Sequence, residues 1–229
     1  MSGIAYAPFE QQANVRFGLY LRPSYAMCRA QAEMHDLLRR QFGLVAGGVF
    51  MPHATIKGFF RTDAAIDDIV RAVDGALAGR SPFTVVNNGP VPFGRGGVSL
   101  DVQHGDHGEV NAEIQALHEA VFTALGPLIH PHCDFTSREW AMERFFAHLT
   151  LAMADIPDFF FDEVHAFIRD AAPIGPRRFT AEYLHLFAFR SDDWAGEWWH
   201  GLRWTLLHAW RLGATGASSP GYVGTDASG

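Results

Sequence analysis

Two short stretches of this 229-residue chain share one pattern, His-x-Thr: PHATIKGF at residues 52–59 and AHLTLAM at residues 147–153. Alternating polar and apolar residues in both stretches predict strands. His53 lies ten residues before Asp63, and His148 lies ten residues before Asp158. Each Asp is interpreted as the cap of a following helix. A strand and a helix repeated at equal spacing predict an internally duplicated chain.

The apolar periodicity switches between two and 3.6 residues along the chain, which is typical of alternating strands and helices. Strands are predicted at 15–21, 49–60, 83–86, 98–102, 145–153, 180–189 and 202–212, with 83–86 and 98–102 joined by a turn. Helices are predicted from 24 to 43, from Asp63 to about 79, over 110–121 and from Asp158 to 168. The order strand, helix, strand, helix, strand occurs at 15–87 and again at 98–189.

These elements predict a single α+β domain over residues 14–212. We expect it to be bilobal and internally duplicated, with two antiparallel sheets that face a central cleft and with helices on the outside. The stretch 1–13 and the Gly/Ser-rich stretch 213–229 are predicted to be flexible ends.

Alternate side chains of a strand share one face, so each His-x-Thr strand is expected to present a polar face. The first face would carry His53, Thr55, Lys57 and Phe59, and the second would carry Arg144, Phe146, His148 and Thr150. If the two faces meet across the cleft, two imidazoles, two hydroxyls and two cations surround one pocket. Lys57 is the only lysine of the chain.

Such a pocket suits phosphoester chemistry without a metal or a cofactor. One imidazole can accept a proton near neutral pH while the other donates one. The threonine hydroxyls can donate hydrogen bonds to phosphate oxygens, and Lys57 or Arg144 can offset negative charge there. Phe59 and Phe146 are candidates for stacking on a base, while Tyr183 and Arg190 are candidates for substrate contact from a neighbouring strand.

The paired His-x-Thr strands, 95 residues apart, resemble those of the 2H (two-histidine) phosphoesterase superfamily, which includes RNA 2′,3′-cyclic phosphodiesterases historically called 2′-5′ RNA ligases. The resemblance extends over residues 14–212. It implies that His53 and His148 are catalytic and that Thr55 and Thr150 hold the phosphate. It also implies a metal-independent hydrolysis of a 2′,3′-cyclic phosphate to a 2′-phosphate, in which one histidine acts as base and the other as acid. Which histidine does which stays open at this stage.

The net charge of the chain restricts the class of substrate. A net charge of −7 argues against extended nucleic-acid binding and favours a nucleotide or an RNA terminus. Two cysteines and no basic-then-apolar leader predict a cytoplasmic protein, and no apolar run is long enough for a membrane span. We expect a monomer.

Other residue clusters receive structural interpretations. The group His130, His132 and Cys133 is interpreted as a loop rather than a metal site, because a second, separated pair of ligands is missing. The tryptophans of the last 40 residues are interpreted mainly as packing residues. Two alternatives remain for the main site: hydrolysis of a 2′,5′-linked oligonucleotide or an ADP-ribose cyclic phosphate, and nucleotide binding without turnover.

Overall fold

A computed structural model of the chain describes residues 14–94, 96–136 and 145–213. Its strands are β1 Val15–Arg22, β2 Ala54–Phe60, β3 Phe83–Val86, β4 Pro90–Phe93, β5 Gly97–Asp101, β6 His148–Ala152, β7 Arg178–Ala181, β8 Tyr183–Arg190 and β9 Arg203–Arg211. Its α-helices are α1 Tyr25–Phe42, α2 Ile66–Leu77, α3 Ala112–Leu125 and α4 Phe161–Asp170. Short 3-10 turns lie at Ala46–Val49, Gly126–Leu128, Asp158–Phe160 and Trp198–His200. The predicted flexible end 1–13 and nearly all of 213–229 lie outside the described residues.

The strands form two antiparallel sheets, which confirms the predicted α+β class with antiparallel sheets. One sheet has seven strands in the order β4-β5-β6-β2-β1-β8-β9, and the other has two, β3 and β7. The two sheets do not divide the His-x-Thr strands between them as predicted. Both strands lie in the seven-stranded sheet and are direct neighbours, with Ala54 opposite Leu149. The two His-x-Thr segments therefore lie side by side and run in opposite directions.

The helix α1 follows the predicted pattern closely. It begins after Ser24 and buries Met27, Gln31, Met34 and Leu38 on one face. It ends at Gly43, whose φ of 74° lies in the left-handed region that glycine adopts without strain. This helix packs beside β6, which brings its polar residues close to the second His-x-Thr.

The predicted helix caps at Asp63 and Asp158 are wrong. The helix α2 begins at Ile66 with Ala65 at its N-cap, and α4 begins at Phe161 with Phe160 there. Before α2, the Thr62 hydroxyl accepts a hydrogen bond from the Ala64 backbone N–H and donates one to the Leu128 carbonyl, so the chain turns before the helix starts. Before α4, a 3-10 turn occupies Asp158–Phe160. Ile66 and Phe161 nevertheless each lie 13 residues after the motif histidine, so the helix starts are equally spaced although neither Asp is the cap.

Several predicted strands differ in extent or partner. The strand predicted at 49–60 begins only at Ala54, and the one predicted at 180–189 is two strands separated by Glu182. The strand β3 pairs with β7 and not with β5 as predicted, because the unpredicted strand β4 occupies the edge of β5. The helix α3 begins at Ala112, where the Asn111 side chain accepts the Glu113 and Ile114 N–H groups, and Val110 stays outside it.

Apolar side chains pack against both faces of the seven-stranded sheet. The main core lies between the sheet and the helices and includes Phe17, Leu19 and Leu149, all with no exposed surface. A second core on the other face contains Tyr20, Phe187 and Phe189, with the partly buried Phe50, Met51, Phe59, Trp194, Leu202 and Leu206 packed on it. In the part of the chain that the structure describes, no helix is both long and apolar enough to cross a membrane.

Candidate active site

The two histidines of the repeated motif stand at the start of neighbouring strands. His53 directly precedes β2 and His148 is the first residue of β6. In this antiparallel pair Ala54 lies opposite Leu149, so the two imidazoles lie diagonally on either side of that residue pair, on one face of the sheet. They are close enough that a charge on His148 lowers the pKa of His53.

Both imidazoles are oriented in the same way by the backbone. The Nδ1 atom of His53 lies 2.7 Å from the Met51 carbonyl oxygen, and that of His148 lies 2.7 Å from the Phe146 carbonyl oxygen. A carbonyl oxygen can only accept, so Nδ1 carries the proton and donates in each case. In the neutral form Nε2 then keeps its lone pair, and each ring presents a proton acceptor to the pocket.

Burial depresses the basicity of both rings. It is the main cause that lowers the pKa of His53 to about 4, and protonated His148 and His35 lower it further. Burial is also the main cause that lowers the pKa of His148, while the hydrogen bond to Phe146 opposes this effect. Both rings are therefore neutral at pH 7 in the absence of substrate, and His53 is the weaker base.

Aromatic rings flank each imidazole differently. The Tyr20 ring contacts the His53 ring edge-on, with 4.7 Å between the ring centres, and Phe50 lies 5.7 Å away. The Phe93 ring stacks on His148 at 3.9 Å, and Phe146 lies nearly parallel at 5.8 Å. The face of an aromatic ring attracts a cation, so the stacked pair favours a protonated His148 more than the edge contact favours a protonated His53.

The two threonines of the motif are partly buried, two residues beyond each histidine. Thr55 lies opposite Tyr20, and Thr150 lies opposite Ser99. By strand alternation their side chains stand on the same face as the imidazoles. The Thr150 carbonyl is held by Gln31 Nε2 at 2.8 Å and by His35 Nε2 at 3.0 Å. These two side chains of α1 fasten the second His-x-Thr strand beyond the point where it pairs with β2.

The structure places Lys57 away from the imidazoles, against the prediction from alternation. A bulge in β2 shifts the register: Thr55 pairs with Tyr20, but Lys57 pairs with Leu19. An extra residue turns the following side chain to the other face of the sheet. Lys57 Nζ donates to Thr136 Oγ1 at 2.5 Å and lies 4.8 Å from the centre of the Phe122 ring on α3. Burial lowers the pKa of Lys57 to about 8.

Of the remaining predicted site residues, the structure places one beside the histidines and the others elsewhere. Phe146 lies beside His148, but Phe59 is packed against Phe189 and Trp194 in the second core. Tyr183 and Arg190 stand at opposite ends of β8, so they cannot share one small ligand. Arg22 lies over the Tyr183 ring, 4.2 Å from its centre. The predicted phosphate ligand Arg144 lies outside the described residues.

The His130 loop and the tryptophans are placed by specific contacts. His130 Nε2 lies 3.4 Å from Asp63 Oδ2, and Cys133 is buried. Among the described residues no three His, Cys, Asp or Glu side chains group as metal ligands. Trp210 is buried and donates to Asp74, while Trp204 packs on Phe187. Trp210 therefore has the packing role predicted for the tryptophans, whereas Trp204 remains 42% exposed.

Several residues near the histidines were not predicted from the sequence. They are Tyr20, Gln31, His35 and Phe93, which lie on strands or a helix remote in sequence from the motif they contact. Only strand pairing and the packing of α1 on the sheet bring them together. Phe93 alone had a usable signal, since an apolar segment at 90–93 next to a predicted strand indicates a hairpin partner.

This arrangement defines a class: an antiparallel α+β fold in which two neighbouring strands each present a His-x-Thr. A family model of the 2′-5′ RNA ligase superfamily matches residues 28–193. The chain therefore belongs to the 2′-5′ RNA ligase (2H phosphoesterase) superfamily, whose members are phosphoesterases or ligases. No curated protein sequence matches the chain.

Solved structures share the fold. The chain is similar to TT0787 of Thermus thermophilus, with 16% identity, a TM-score of 0.59, and coverage of 86% of this chain and 97% of that one. It is also similar to apo LigT of Escherichia coli, with 14% identity, a TM-score of 0.51, and coverage of 87% and 98%. At these identities the likeness concerns the fold.

Proposed function

We propose that the protein is a metal-independent cyclic phosphodiesterase that hydrolyses a 2′,3′-cyclic phosphate, on a small nucleotide or an RNA end, to a 2′-phosphate. The observation that carries this proposal is the matched pair of imidazoles. Each donates Nδ1–H to a backbone carbonyl, so both Nε2 atoms are available at the pocket for proton transfer. A site that only binds phosphate has no need for two such rings.

The different environments of the two rings assign their roles. His53 has the lower basicity and stays neutral, so its Nε2 accepts a proton from the attacking water. His148, stacked on Phe93, is the better place for a proton and donates it to the leaving 3′ oxygen. Water oxygen forms the new bond to phosphorus, the bond from phosphorus to O3′ breaks, and the 2′ ester remains. Thr55 and Thr150 donate hydrogen bonds to the non-bridging oxygens, where charge develops.

The test uses 2′,3′-cyclic AMP in the presence of EDTA, with product identification to separate 2′-AMP from 3′-AMP. In His53→Asn and His148→Asn the amide can replace Nδ1–H at the carbonyl but supplies no Nε2. Each is expected to lower kcat by about 10²–10⁴-fold. The proposal fails if either variant, folded as judged by circular dichroism, keeps more than a tenth of the parent activity.

A second substrate separates acid from base. A 4-nitrophenyl nucleoside phosphodiester has a leaving group that departs without protonation, so it does not require the acid. His148→Asn is expected to lose much less activity on this ester than on the cyclic phosphate, whereas His53→Asn loses comparably on both. The reverse pattern would exchange the two roles.

The same assay discriminates the alternative substrates and the non-enzymatic alternative. A 2′,5′-linked dinucleotide and an ADP-ribose cyclic phosphate are offered under the same conditions, and the largest kcat/KM identifies the substrate class. Stoichiometric nucleotide binding with no product over hours would instead indicate a binding protein.

A further inference from the structure

Near the start of β1, two arginines and three aromatic rings form a cluster; two of the rings pack on the second core and the third packs against the main core. We name it the Arg16 cluster; it consists of Arg16, Phe59, Arg61, Phe135 and Trp194. The guanidinium carbon of Arg16 lies 4.0 Å from the centre of the Trp194 ring and 4.2 Å from that of Phe135. Arg61 stands over the same Phe135 ring at 5.1 Å. Two cations thus share one aromatic support.

Electrostatics in the Arg16 cluster favour an added anion. Burial lowers the pKa of Arg16, and the charge of Arg61 lowers it further, while Cys133 and Asp134 act in the opposite direction. Arg16 Nε is enclosed without a hydrogen-bond partner among the described residues. Stacking holds the guanidinium in place but uses none of its N–H donors. A phosphate oxygen would accept hydrogen bonds from the terminal N–H groups of the Arg16 guanidinium and add negative charge beside it.

The Arg16 cluster lies along the sheet from the catalytic pair. Arg16 precedes Tyr20 by four residues on β1, which is about 13 Å at 3.3 Å per residue. Tyr20 contacts His53, and between the two positions Phe50 and Phe59 line the same face. A cyclic phosphate held at the imidazoles cannot also reach Arg16. An anion bound there must come from another part of the substrate.

We propose that Arg16, with the charge of Arg61 beside it, binds a second phosphate group of the substrate. This inference rests on the proposed function and narrows its substrate class to nucleotides that carry more than one phosphate. The second phosphate can be a 5′-phosphate of the same nucleotide or the linkage to the preceding nucleotide. Guanidinium groups recognise both through the same non-bridging oxygens.

The experiment compares kcat/KM for three substrates: 2′,3′-cyclic AMP, its 5′-phosphorylated form, and a dinucleotide with a 2′,3′-cyclic end. The wild-type protein is expected to prefer one or both longer substrates by roughly ten- to a hundredfold, the range of a charge-assisted contact. Arg16→Met should remove that preference and leave cyclic AMP hydrolysis within about twofold, which also shows that the variant folds. Arg40→Met on the exposed side of α1, where Arg40 pairs with Asp36, is the matched control.

The arms of the experiment separate the outcomes. Preference for the 5′-phosphate identifies the same nucleotide as its source, and preference for the dinucleotide alone identifies the linkage. Equal kcat/KM for all three substrates, or a preference that persists in Arg16→Met, overturns the inference while hydrolysis of cyclic AMP still supports the proposed function. If no cyclic phosphate is hydrolysed, calorimetric binding of the dinucleotide pApA against adenosine in both proteins decides the inference. Weaker pApA binding in Arg16→Met then supports it, and unchanged binding refutes it.

Discussion

The pH dependence of kcat/KM follows from the environments of the two histidines. The ratio kcat/KM reports the free enzyme, which must hold His53 neutral and His148 protonated. The pKa of His53 is lowered to about 4, so its lone pair is available above that pH. The pKa of His148 is lowered from 6.5, so its proton is lost as the pH rises through a value below 6.5. Activity is therefore expected to be greatest on the acid side, between about pH 4 and 6.5.

The size of the fall in kcat/KM at alkaline pH follows from the pKa of His148. Above the pKa of His148, the protonated fraction falls tenfold for each pH unit. With a pKa below 6.5, kcat/KM at pH 8.5 is expected to be at least about a hundredfold below its maximum, or about 2.7 kcal/mol of barrier. The cyclic phosphodiester keeps its single negative charge over this pH range, so titration of the substrate does not affect the pH profile.

The assay measures initial rates on 2′,3′-cyclic AMP well below KM, from pH 4.5 to 9 at constant ionic strength, with circular dichroism at each pH to confirm folding. His148→Asn should lose the alkaline limb and keep a low, flat activity. A kcat/KM that rises through pH 7 and stays level to pH 9 would refute the requirement for an imidazolium in the free enzyme.

Three further predictions concern residues around the site. Burial lowers the pKa of His185 to about 4, so the unfolded chain binds a proton more readily and stability falls as the pH drops from 6.5 towards 4. In urea unfolding, lowering the pH from 7.5 to 5 should reduce the free energy of unfolding of the parent by about 2 kcal/mol more than that of His185→Phe. Equal reductions in the two proteins would contradict this. Lys57→Met should change kcat/KM by less than about threefold because Nζ contacts Thr136, whereas a hundredfold loss would restore the phosphate-binding role. Gln31→Leu should lower the free energy of unfolding by about 1 kcal/mol and reduce kcat severalfold, and an unchanged kcat would show that His35 alone holds Thr150.

The part of the site that the sequence revealed is local in the chain. A histidine and a threonine two residues apart on a strand share a face whatever surrounds them. Two such patterns are therefore recognisable without a structure. Lys57 shows the limit of this reasoning. It lies only two residues beyond Thr55, but one bulge turns it to the opposite face. A bulge depends on the partner strand, and the sequence of β2 alone carries no sign of it.

The order of the strands in the sheet could not be predicted from the sequence, for a related reason. The equal spacing from His to Asp suggested two similar lobes with separate sheets, yet both motif strands pair in one sheet. Strand order depends on contacts that are distant in sequence, such as β1 with β8, and on which edges remain uncovered. The helices could be predicted because apolar residues recur along one face of each. Their first residues could not be predicted, because turns outside the helix determine where it begins.

The orientation of the histidines by carbonyl groups has a chemical consequence. A carboxylate partner would stabilise an imidazolium and hold the pKa high, whereas the Met51 and Phe146 carbonyls orient the rings without a full charge. At neutral pH both rings then stay uncharged until an anion arrives. A bound phosphate supplies that charge close to both Nε2 atoms, so it raises their basicity only in the complex. The alkaline limb of kcat should therefore lie at higher pH than that of kcat/KM, because the substrate itself completes the proton-donating form of His148.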